Sequence, residues 1–318
     1  MNNIGKNRPL FFTGITDFTH YDDMIYRKHF GYFCVLCLLL ITVSSCEKYT
    51  GDQTIPAYLS IDSIYITTNF NSEGTASQRI TDAWVYVDDD FLGAFELPAL
   101  LPVLKTGEHQ VKVYPGIKKN GIASTRTTYE FYNPITREIV FAEDSTTRAG
   151  AMKTTYQSKT LFVWKEDFED AVNVTLDTTS GSIADLQDTL TGSPPPFEGV
   201  RSGMVILDEK HDYFECQTRA EYPIPYSPVF LEMNFNTSNS IVVGVFSYGN
   251  TILYQTPIIT LNPTKGQWKK IYIDLTTTLN AYQGMTHYRV YLRAMKESGL
   301  TQSTILLDNF KIVSRQAK

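Results

Sequence analysis

Residues 230–236, FLEMNFN, with residues 270–275, KIYIDL, and residues 288–294, YRVYLRA, carry the period-two alternation that decides the fold. Successive side chains of a β-strand point to opposite faces. The alternation sends Leu231, Met233, Phe235, Ile271, Ile273, Leu275, Val290, Leu292 and Ala294 inward. It sends Glu232, Asn234, Tyr272, Asp274, Arg289, Tyr291 and Arg293 outward. Placed in one sheet, these seven outward residues make the expected ligand face, centred on Tyr272 and Tyr291. Tyr rings can stack on sugar rings, and acid, amide and guanidinium groups bond hydroxyls directionally. The same pattern also describes an ordinary solvent face with cross-strand ion pairs.

The rest of the chain reads as β in the same way. Twenty Tyr and eighteen Phe among 318 residues favour half-buried pleated surfaces, and 42% hydrophobic content suffices for one large or two ordinary domains. Residues 57–67, AYLSIDSIYIT, alternate with one slip near Asp62 and Ser63, which predicts a bulge. Residues 83–87, the run Asp88-Asp89-Asp90 and then Phe91-Leu92-Gly93 predict a hairpin. Residues 107–114, 129–132 and 138–141 supply further strands. The polar, Thr/Ser-rich stretch 143–160 marks a boundary between separately folding domains over 55–150 and 160–314. In the second domain, residues 203–207, 214–218, 229–235, 241–247, 268–275, 288–294 and 305–313 are strand candidates at sandwich spacing. Trp84 and Trp268 sit inside apolar patterns and are read as core anchors, with Trp164 open.

The longest apolar run, residues 30–43, is fourteen residues and falls short of the roughly 20 needed to span a bilayer. Arg27, Lys28 and His29 precede it and Ser44-Ser45-Cys46 follows, the order of an export signal over residues 24–45. Met24 is the better start. Residues 1–23 then form a mis-assigned or disordered extension, and residues 46–54 a polar tether. A net charge of −6 lacks the basic footprint of nucleic-acid binding, so nucleic acid is not expected as a partner.

Val43-Ser44-Ser45-Cys46 resembles the lipobox of bacterial lipoproteins. The resemblance implies that Cys46 carries lipid and becomes residue one of the mature chain. Acyl chains gain about 0.8 kcal/mol per buried CH₂, so several of them make a stable anchor. WVYVDDDFLGAFELP at 84–98 and LKTGEHQVKVYPG at 104–116 resemble PEGA and carboxypeptidase-regulatory modules, which implies an Ig-like β-sandwich. An EDFE opening at 166–169, WKKIYIDL at 268–275 and LLDNFKIV at 306–313 resemble jelly rolls of the galactose-binding and carbohydrate-binding-module type. In such jelly rolls the first and last strands run side by side and hold a structural calcium. The resemblance carries that site to Glu166, Asp167, Glu169 and Asp308, a metal-free packed terminus being the other reading. No other cofactor is expected.

Catalytic machinery is not visible. His109, His211 and His287 stand apart from any nucleophile or metal-ligand spacing, and Cys216 alternates as a small buried hydrophobe. Asp88-Asp89-Asp90 offers hard oxygen ligands, although turns prefer Asp for conformational reasons alone. A glycan hydrolase would need facing acids, for which Glu232 and Asp274 are the only strand pair. The whole chain resembles an outer-membrane lipoprotein of the Bacteroidota, periplasmic or surface-exposed. It is expected to be all-β and non-catalytic, with a spacer sandwich and a jelly roll that binds a glycan or an envelope protein. The rival reading is a structural or accessory subunit of an outer-membrane assembly.

Overall fold

The computed structural model describes residues 54–189 and 194–315. The export signal and Cys46 lie outside the described residues. The first sandwich comprises β1 (Ala57–Ile66), a one-turn helix α1 (Phe70–Glu73), β2 (Asp82–Val87), β3 (Asp90–Glu96), β4 (Ala99–Val103), β5 (Gly107–Lys118), β6 (Arg126–Thr128), β7 (Ile135–Phe141) and β8 (Thr146–Thr154). The second comprises β9 (Thr160–Glu166), β10 (Leu176–Thr178), β11 (Gln187–Asp188), β12 (Gly203–Leu207), β13 (Tyr213–Thr218), β14 (Tyr222–Pro223), β15 (Phe230–Thr237), β16 (Ile241–Tyr248), β17 (Leu253–Leu261), β18 (Lys269–Asp274), α2 (Thr276–Leu279), β19 (His287–Met295) and β20 (Ser303–Arg315). The all-β class is therefore observed. No helix among the described residues is long and apolar enough to cross a membrane.

In the first sandwich, sheet β4-β1-β8 covers sheet β3-β2-β5-β6, with β7 paired to β5. Leu59, Ile61, Val85, Leu101, Val111 and Val113 are fully buried between them. The expected slip in β1 is real, since its pairing with β8 shifts register between Ser60 and Ile61 and again between Ile61 and Ser63. The hairpin joining β2 to β3 turns at Asp88 and Asp89, whose φ of 51° and 68° are those of a tight primed turn. That left-handed geometry accounts for the acidic run. Residues 146–154, expected in a boundary stretch, form β8 and pair in parallel with β1. Their polar side chains occupy the outer face while Met152 and Thr154 are buried.

In the second sandwich, sheet β10-β13-β19-β16-β17, with β14 on β19, faces sheet β11-β12-β20-β15-β18, with β9 on β20. The inward residues read from the three opening stretches all enter this core, as Leu231, Met233, Ile273, Val290 and Leu292 show by complete burial. The single outward face needs correction. β15 and β18 are neighbours in one sheet, whereas β19 lies in the other. Their inward sides meet across the core, so their outward sides point away from each other. β17 has no counterpart among the expected strands, because it is a mostly exposed edge strand interrupted by Pro257. Residues 129–132 are a buried loop rather than a strand.

The two sandwiches share apolar packing. Phe230, Tyr272 and Val313 of the second belong to the core of the first, beside Tyr129, Phe131, Tyr132 and Tyr156. The described residues from Ile55 onward thus form a single compact unit.

Candidate functional site

β18 lies against the first sandwich. The Asn120 N–H donates to the Tyr272 carbonyl at 2.8 Å, and the Asp274 N–H donates to Asn120 Oδ1 at 2.8 Å. Lys119 Nζ reaches the Asp274 carboxylate at 3.1 Å. The Tyr272 hydroxyl accepts from the Arg79 N–H at 3.0 Å and sits 3.1 Å from the Tyr132 hydroxyl. Glu232, fully buried, accepts from the hydroxyls of Tyr129 and Tyr156, each at 2.9 Å, and pairs with Lys270 Nζ at 3.3 Å. Asn234 accepts from the Ser77 hydroxyl at 2.8 Å.

The outward face of β15 and β18 is therefore covered. Glu232, Asn234 and Tyr272 are interior residues that join the sandwiches, and Asp274 sits at their rim. The expected ligand face is corrected for these four residues. Burial is tolerated because each of the four side chains has a partner on the opposing sandwich, although the buried Asn234 Nδ2 has none among the described residues. Burial pushes the Tyr129, Tyr132, Tyr156 and Tyr272 hydroxyls up, which keeps them neutral donors, and it pushes the Lys270 ammonium down.

Arg289, Tyr291 and Arg293 lie on the outward side of the other sheet, but Tyr291 is fully buried there and only the two arginines are accessible, so the expected centre at Tyr291 is corrected as well. Strand register sets Gln217 and Gly244 opposite Tyr291, Glu215 and Val242 opposite Arg293, and Phe246 opposite Arg289. Tyr291 lies flat over Gly244, where a Cβ would come within 2.6 Å of its ring and 2.4 Å of the Thr256 carbonyl oxygen. Its centroid is 4.8 Å from that of Phe246, and its buried hydroxyl has no hydrogen-bond partner among the described residues. Glu215 accepts from Thr179 at 3.0 Å, Tyr213 at 3.1 Å and Gln255 at 2.6 Å. The Arg289 guanidinium stands 5.8 Å from the centre of the Tyr248 ring and bonds Glu221 at 3.2 Å. A shallow hollow of about 450 Å³ adjoins, lined by Tyr213, Ser240, Val242, Arg293 and Met295. With the Tyr291 ring sealed, the face offers the guanidinium groups of Arg289 and Arg293 and the amide of Gln217, a set suited to directional bonds with hydroxyls.

Glu166, Asp167, Glu169 and Asp308, the calcium candidates, lie around the β9–β20 pair. β9 and β20 do run side by side, with Glu166 opposite Phe310. Their carboxylates, however, fasten loops. Glu166 accepts from the Phe168 N–H at 2.8 Å and from both the N–H and hydroxyl of Thr175 at 2.6 Å. Asp167 accepts from the Glu169 N–H at 3.2 Å. Glu169 accepts from Val200 at 2.8 Å and Arg201 at 3.1 Å, and Asp308 from Phe197 at 3.1 Å and Glu198 at 3.3 Å. Among the described residues no three Asp, Glu, His or Cys side chains are grouped to hold a metal. Burial pushes the Asp308 carboxyl up to about 7.

Other singled-out residues have structural surroundings. His109 Nδ1 lies 2.6 Å from Asp88, and His211 Nδ1 3.0 Å from Asp208. Cys216 is fully buried in the second core, and burial pushes its thiol up to about 12. Trp164 is a core residue whose Nε1 donates to Thr175 at 2.8 Å. Trp84 is not. Ala83, Val85 and Val87 take the inward positions of β2, which leaves Trp84 and Tyr86 on the outer face. There Trp84 stacks on Phe91 at 5.7 Å, and Tyr86 meets Phe91 at 5.0 Å and Tyr114 at 5.4 Å. In AWVYV, residues 83–87, both parities are apolar or aromatic, so alternation alone could not choose. Trp268 sits at a rim, edge-on to Phe197, and its Nε1 donates to the Pro195 carbonyl at 3.3 Å.

No known protein family and no curated protein matches the chain. Similar solved structures are mainly carbohydrate-binding modules with a β-sandwich jelly roll, and one is an α-L-arabinofuranosidase matched over 26% of its own chain. TmCBM61, solved with β-1,4-galactotriose, is 12% identical over 49% of this chain and 99% of its own, with a TM-score of 0.34. The xylan-binding domain CBM22 is 12% identical over 49% of this chain and 97% of its own, with a TM-score of 0.33. A promiscuous module of the β-sandwich superfamily is 12% identical over 73% of this chain and 84% of its own, with a TM-score of 0.32.

Proposed function

We propose that the chain is a non-catalytic, lipid-anchored protein of a Gram-negative outer membrane that binds a glycan on the outer face of sheet β10-β13-β19-β16-β17. In this reading Cys46 carries the anchor, the first sandwich is an Ig-like spacer and the second is the binding module. The observation that carries the reading is the row Arg289, Tyr291 and Arg293 set opposite Gln217 and Glu215 beside an open hollow. A few directed polar groups beside a concave surface are part of the usual make-up of a small-ligand site.

A glycan array on the full chain, followed by calorimetric titration of the best hit, tests it. Arg293→Ala and Gln217→Ala are expected to lower affinity about tenfold or more, since each removes a polar contact to ligand. Melting temperature should hold for both. Tyr291→Ala is a poor probe, because the ring is buried over Gly244 and its loss leaves a cavity. If no glycan binds, or the hit binds both variants as it binds wild type, the reading fails. A stoichiometric partner co-purifying from detergent extracts would then favour the accessory-subunit reading. Separately, Cys46→Ala should release the chain from membranes, and intact wild-type peptides spanning Ser45 and Cys46 would overturn the anchor.

A further inference from the structure

A second cavity, of about 300 Å³, opens where the two sandwiches meet, away from the face of β19. Its size matches the lower end of small-molecule pockets, about 300–1,000 Å³. The loop after β5, the segment before β2 and strands β15, β17 and β18 all contribute walls. Four cations line it, Arg79 and Lys118 from the first sandwich and Lys269 and Lys270 from the second, and no carboxylate does. In a chain of net charge −6 that is a local inversion of sign.

Two of the four charges are already used. Lys118 bonds Glu96 at 3.0 Å, and Lys270 pairs with buried Glu232 at 3.3 Å. Arg79 is exposed and Lys269 half-buried, and among the described residues neither is in an ion pair. The remaining wall is mixed: Ile122 and Ile259 are apolar, and Thr260 and Asn262 are polar. An inorganic anion would satisfy the cations and leave the apolar wall without a partner. A sugar ring bearing a carboxylate has an apolar face, hydroxyls and one negative charge, so it matches all three parts of the lining.

We infer that this junction cavity is a binding site for an acidic sugar, a hexuronate, whose carboxylate is held by Arg79 and Lys269. The site is complete only when both sandwiches are present, because each donates one of the two free cations. It is independent of the glycan face on β19.

Titration of the full chain with trigalacturonate, and with galactotriose as the neutral control, tests the inference. Wild type should bind the acidic trisaccharide and not the neutral one, with affinity falling as salt rises. Arg79→Ala and Lys269→Ala should each weaken binding about tenfold or more, the range for one lost charged hydrogen bond. Neither side chain is in a core, so melting curves should overlay wild type. Arg293→Ala, on the other face, should leave trigalacturonate affinity unchanged. Failure to bind trigalacturonate, equal binding of both sugars, indifference to both cation substitutions, or sensitivity to Arg293→Ala alone would each overturn it.

Discussion

Glu232 shows how far a single residue can be read from its neighbours. Its outward parity in FLEMNFN is correct, yet its surroundings are the reverse of a solvent face. The carboxylate is sealed beneath Tyr129 and Tyr156 and paired with Lys270. Alternation reports which side of a strand faces its own core; it is silent on whether another layer covers the far side. The polar character of Glu232, Asn234 and Tyr272 looked like solvent and is instead an internal hydrogen-bond network. Removing one partner of a buried ion pair costs about 3–5 kcal/mol, because the other charge is stranded. Glu232→Leu should fall in that range by urea denaturation, whereas Glu232→Leu combined with Lys270→Met should recover a substantial part. A single substitution that costs nothing, or a double that costs the sum of its parts, would show that the pair does not act as a unit.

At the scale of elements, the strands with clean alternation were legible and the strand partners were not. β12, β13, β15, β16, β18, β19 and β20 fall close to their expected ranges, since each buries one apolar parity. β17 was hidden because an edge strand with Pro257 buries little, and β8 because its outer face is Thr- and Arg-rich. The hidden β8 changes what the boundary means. Residues 143–160 are no loose linker: β8 is paired along β1, and Tyr156, in the connection to β9, is buried with its hydroxyl on Glu232. Cutting the second sandwich away would uncover Tyr129, Phe131 and Tyr132. Differential scanning calorimetry should therefore show one transition with equal calorimetric and van't Hoff enthalpies, in place of two separately melting domains. Limited proteolysis should spare residues 146–154. Two resolved transitions, or early cleavage within β8, would restore the picture of independent domains.

Over the whole molecule, two buried ions near the junction predict how stability varies with pH. Burial raises the Asp308 carboxyl from 3.8 to about 7, despite N–H bonds from Glu198, Asn309 and Phe197, and nearby Glu169 adds to the rise. Between those values the folded chain holds a proton that the unfolded chain has lost, so stability falls as pH rises from about 4 to 7. Burial lowers Lys311 from 10.5 to about 8, with Lys270 and Lys165 acting the same way and Glu232 and Glu73 opposing. Between those values the unfolded chain holds the extra proton, so stability rises with pH from about 8 to 10.5. Each group thus exerts its full cost in the interval near pH 7 to 8, where both are charged. Exposed groups such as Asp88, held low by His109 and Lys105, act in the opposite sense at acid pH, so the raw profile mixes contributions. The difference between variant and wild type isolates each one. Relative to wild type, Asp308→Asn should gain stability progressively from pH 4 to 7 and then stay level. Lys311→Met should show its largest gain near pH 8 and lose it towards pH 10.5. Melting temperatures across that range read both differences, and flat difference profiles for both variants would mean that these buried charges do not set the pH response.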